Sequence, residues 1–73
     1  MDNKYLFLVK DENEEIVYST YGPEDCFNIV EYALLVKSTT DVKRQLDCEP
    51  ITECVEVWAL DESFRMHLLA TFF

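Results

Sequence analysis

Two acidic turns, each bracketed by runs of β-branched, aromatic and aliphatic residues, constrain this chain most. "KYLFLVK" and "EIVYSTY" flank "DENE"; "ITECVEVWAL" and "FRMHLLATFF" flank "DES". In the first run Tyr5, Phe7 and Val9 alternate with Leu6 and Leu8, so both faces are apolar. Asp and Asn suit tight backbone angles, and each pair of runs is expected to form a β-hairpin. The predicted strands are Lys4 to Lys10, Glu15 to Tyr21, and the two runs either side of "DES".

Between the hairpins the period changes. Gly22-Pro23 breaks the strand, and Pro suits the first helical position because its missing N–H would be unpaired there. Glu24 and Asp25 complement the positive end of a helix. Cys26, Ile29, Val30, Ala33 and Val36 then recur every three or four residues, which predicts a helix from about Pro23 to Lys37. Ser38, Thr39 and Thr40 are candidates to end it, and Thr40 or Asp41 to cap a short second helix at 40–47. The expected fold is therefore α+β: a four-stranded antiparallel sheet, ββαββ, with one main helix on a face, in a single domain over 1–73.

One helix covers one face, and a sheet with a wet second face alternates cleanly between apolar and polar residues. Trp58, Leu69 and Phe73 break that alternation. They are expected to meet the short second helix or a second copy of the chain, as in a homodimer.

The chain has 73 residues, 49% of them hydrophobic, with a single glycine. That is too apolar for a disordered acidic tail, and small enough that only about 60% of the unfolded chain's surface is buried. Fifteen acids against six Lys and Arg give a net charge of -9. Such a surface repels nucleic acid and anionic membranes and attracts basic proteins. The opening "MDNKYLFLV" does not resemble a secretory signal, so a cytoplasmic setting with free thiols is expected.

No catalytic or metal signature is expected to operate. Cys26, Cys48, Cys54 and His67 are zinc-type ligands by identity, but no closely spaced ligand pair occurs. Cys26 with His67 lacks any orienting group, and Glu24 and Asp25 oppose a thiolate there. "DENEE" begins like a calcium loop, but Ile16 and Gly22 occupy the positions that need Gly and Glu. No glycine-rich phosphate loop can form. The expectation is no enzyme, no cofactor and no metal.

What remains is charge. Asp11, Glu12, Glu14 and Glu15 mark the first tip, Glu24 and Asp25 the helix start, and Asp61 and Glu62 the second tip. These eight are the candidate partner-binding residues, with Tyr18, Tyr21 and Tyr32 as neighbours able to supply grip. The functional expectation is a small inhibitor that occupies a basic surface of a partner macromolecule. Mimicry of a nucleic acid, as an anti-defence or host-takeover protein would use it, is one form of this. The alternative is a homo-oligomeric structural or adaptor module whose acids only keep it soluble. The two tips lie together only if residues 38–50 return along the sheet; otherwise they lie at opposite ends.

Overall fold

The computed structural model describes residues 4–22 and 28–73. It contains β1 (Lys4–Lys10), β2 (Ile16–Tyr21), α1 (Ile29–Leu46), β3 (Cys54–Leu60) and β4 (Met66–Phe72). The strands form one antiparallel sheet in the order β2-β1-β3-β4, with α1 across one face. This is the expected α+β fold. The two hairpins join through their first strands, so β1 and β3 are central, and β1 pairs with β3 along its whole length, from Lys4 opposite Leu60 to Lys10 opposite Cys54.

The core lies under the helix and is small. Phe7 and Val9 of β1, Val55 and Val57 of β3, and Ala33 and Val36 of α1 are buried, with Tyr5, Val17, Ile29, Tyr32 and Phe72 packed around them. Phe7 meets Tyr32 edge to face, ring centroids 4.9 Å apart. Gly22 ends β2 where Phe7 leaves no room: a β-carbon there would sit 2.8 Å from the Phe7 ring. Its N–H donates to the Tyr5 carbonyl, which fixes the close approach.

The helix differs from its expected bounds. Its expected first turn, Pro23 through Phe27, lies outside the described residues. Asn28 caps the described helix, its side chain accepting from the Glu31 N–H at 3.0 Å. At the other end there is no separate second helix: residues 40–46 continue α1. The Ser-Thr-Thr stretch does not interrupt it, because Thr39 and Thr40 turn their hydroxyls back to the Leu35 and Val36 carbonyls, both at 2.8 Å. Nor is Asp41 a cap. Its Oδ1 accepts from the Thr52 N–H at 2.7 Å and the Thr52 hydroxyl at 2.6 Å, while Lys37 Nζ donates to its Oδ2 at 2.9 Å and to the Thr52 carbonyl at 3.1 Å. This cluster ties the middle of the helix to the approach of β3.

The helix stops at Asp47. The Cys48 N–H donates to the Gln45 carbonyl and the Glu49 N–H to the Arg44 carbonyl, with Cys48 at φ 59°. That is a Schellman ending with cysteine where glycine is usual.

Two bulges adjust the faces. Val17 is the extra residue between the pairs Val9–Tyr18 and Lys10–Ile16, and Leu69 the extra residue between Val57–Ala70 and Trp58–Leu68. The second bulge breaks the alternation of faces along β4. Ala70 and Phe72 pair with the core-facing Val57 and Val55, whereas Met66 and Leu68 pair with Leu60 and Trp58 on the open face.

Candidate partner-binding surface

The two hairpin tips are built alike. Asp11 Oδ1 accepts from the Asn13 and Glu15 N–H groups at 2.9 and 3.0 Å; Asp61 Oδ1 accepts from those of Ser63 and Arg65 at 2.8 and 2.9 Å. In each tip a residue four positions from the preceding strand takes positive φ, Glu14 at 63° and Phe64 at 61°. Asp11 and Asp61 are thus turn-forming groups as well as surface charges. Two of the eight candidate binding residues hold their own turns together.

Because β1 and β3 run antiparallel, the tips lie at opposite ends of a molecule 41 Å long. The first tip does not meet Asp61 and Glu62. It meets the start of β3 instead. Asp11, Glu12 and Glu14 line a concavity of about 360 Å³ together with Glu53, Glu56, Cys54, Thr71, Phe73 and Lys10. Glu53 precedes β3 and its N–H donates to the Lys10 carbonyl. Glu56 faces the open side of the sheet, where one of its oxygens accepts from Lys10 Nζ at 3.0 Å and from the Trp58 ring N–H at 3.1 Å. Lys10, the one cation that lines this concavity, is therefore engaged, while five carboxylates (Asp11, Glu12, Glu14, Glu15 and Glu53) form no ion pair among the described residues. Burial, then the charge of Glu56, pushes the Cys54 thiol above its ordinary value.

Among the described residues the second end is nearly balanced. Asp61 Oδ2 lies 2.8 Å from His67 Nε2, and this bond, with the Arg65 N–H, holds the Asp61 carboxyl below its ordinary value. Lys4 and Arg65 stand near Asp61 and Glu62, as the Lys4–Leu60 register requires. Phe64 is 84% exposed at the tip. Glu24 and Asp25, and with them Cys26, lie outside the described residues.

The remaining candidates separate. Tyr32 is a core residue. Tyr18 lines a second hollow of about 300 Å³ beside Lys43 and Arg44. Tyr21 is exposed at the edge of the open face. Among the three expected interface residues, Trp58 lies on the open face, Leu69 is the half-exposed bulge residue, and Phe73 is 81% exposed beside the acidic concavity. Cys48 is exposed and Cys54 buried, both as free thiols.

Glu53 and Glu56 belong to the acidic end but were not among the eight candidates. The signal was in the sequence as two acids inside a β-forming run. Placing them needed the pairing of β1 with β3. No helix among the described residues is long and apolar enough to cross a membrane. Comparison with protein-family models, with curated proteins and with solved structures returned no match.

Proposed function

We infer that this protein binds a basic surface of a partner macromolecule and blocks it, with no turnover of its own. The observation that carries this reading is the gathering of Asp11, Glu12, Glu14, Glu53 and Glu56 around one concavity whose single cation is already paired. A cationic side chain entering there meets several carboxylates at once. Exposed charge steers encounter more than it sets affinity, and Phe73 on the rim offers the apolar contact that holds a partner in place. The charge is concentrated at one end and not strung along a face. That favours a confined basic cleft as target over a long nucleic-acid groove.

The test uses an oligo-arginine peptide as probe and a Glu12→Gln, Glu14→Gln, Glu53→Gln variant. Asp11 is spared because it holds its turn. The parent should bind at low salt and release as salt rises. The variant should bind at least about tenfold more weakly, a loss of ~1.4 kcal/mol, with a flatter salt dependence. Equal binding by parent and variant across salt would reduce the acids to solubilising groups. The alternative reading, a self-associating module, is favoured by a different surface, the open face of the sheet.

A further inference from the structure

We propose that the open face of the sheet is a homodimer interface, in which two copies stack face to face with their strands antiparallel. The proposal is independent of what the acidic end binds. Tyr21, Leu6, Trp58 and Leu68 are paired in register, so one apolar row crosses all four strands. Leu60 and Met66 extend it toward the second tip. Among the described residues no element covers this row, since α1 lies on the opposite face, over Phe7, Val9, Val55 and Val57.

Two observations say what covers it. The face has the composition of an interface: aromatic and aliphatic at the centre, with the half-buried Glu56 carboxylate already paired with Lys10 and hydrogen-bonded by Trp58.

Charge then selects both the occupant's orientation and its identity. One end of the face carries Lys10 against six carboxylates: Asp11, Glu12, Glu14, Glu15, Glu53 and Glu56. Among the described residues the other carries Lys4 and Arg65 against Asp61 and Glu62. Stacking like ends would oppose the two acidic ends directly. A two-fold axis across the strands instead lays the Lys4 end of each copy over the Glu53–Glu56 end of the other, and the same contact is made twice. A second copy thus supplies the apolar row, the cation and the geometry together.

The test combines mass and connectivity. Sedimentation equilibrium across the micromolar range should show a shift from 8.6 kDa to twice that mass. Leu68→Glu, an exposed position on an edge strand, should weaken dimerisation at least about tenfold while circular dichroism stays unchanged. Zero-length carbodiimide coupling should yield covalent dimers in which Lys4 is joined to Glu53, Glu56 or the first-tip glutamates. Within one copy Glu53 and the first tip lie about 20 Å or more from Lys4, at least six strand positions, so a link to them must cross between copies; a link to Glu56, four positions away, does not count. The exposed side of α1 also carries Leu34, Leu35 and Val42, which makes Leu35→Glu the control. A monomer at all concentrations overturns the proposal. So does a dimer that survives Leu68→Glu and dissociates with Leu35→Glu, or one whose Lys4 links never reach the acidic end.

Discussion

Among the described residues three non-glycine positions hold positive φ: Glu14, Cys48 and Phe64. A left-handed backbone is costly for a side chain with a β-carbon, more so for a bulky one. At Cys48 the residue is exposed and its cost is met by the helix ending it completes. Cys48→Gly should therefore raise stability by about 1 kcal/mol, and Phe64→Asn by a similar amount. In a domain of this size that corresponds to roughly 4–8 °C in Tm, measured by thermal unfolding at fixed protein concentration. An unchanged or lowered Tm for both would mean that contacts of the two side chains outweigh their backbone cost. The lone glycine shows the opposite logic. Gly22 is required by the Phe7 ring pressed against it, a constraint of space and not of φ.

At the scale of elements, the joint between α1 and β3 depends on Asp41. Burial alone would raise its pKa, but the Thr52 hydroxyl, the Thr52 N–H and Lys37 outweigh burial and hold it below the ordinary 3.8. A depressed folded-state pKa contributes stability that is fully present above the unfolded value and is lost as pH falls through the folded one. Asp41→Asn should lower stability at neutral pH by about 1–3 kcal/mol. It should also flatten the acid limb of the stability curve below about pH 4, read from denaturant midpoints across pH. A variant with the parent's acid limb would place the pH sensitivity elsewhere. The same cluster explains the long helix. Ser38 to Asp41 has the composition of a helix end, yet the pull of Thr52 on Asp41 and the back-bonding of Thr39 and Thr40 keep it helical.

For the whole molecule, charge and core size set the balance. The core is confined to β1, β3 and two turns of helix, while the edge strands leave Tyr18, Tyr21, Met66 and Leu68 exposed. A net charge of -9 adds self-repulsion, greatest at the acidic end. Sodium chloride should therefore raise the thermal midpoint, most steeply as the Debye length falls toward about 8 Å at physiological ionic strength. The Glu12→Gln, Glu14→Gln, Glu53→Gln variant should start higher and respond less. A midpoint that falls with salt would show that the ion pairs Lys10–Glu56, Lys37–Asp41 and Arg44–Glu49 outweigh the repulsion.

The amino-acid sequence by itself determined the two hairpins, the helix between them and the sheet class, because alternation, turn chemistry and helical period are local properties of the chain. It also contained the Asn28 to Glu31 capping signal, which the proline-led reading of the helix start passed over. Only the tertiary structure decided which acids stand together. Glu53 joins Asp11, Glu12 and Glu14 because Lys10 pairs with Cys54, a contact between residues more than forty positions apart. The bulge at Leu69, which turns Met66 and Leu68 onto the open face, is likewise a matter of register between strands. Register follows from the packing of Val55, Val57 and Phe72 under one helix, and no single strand carries that information.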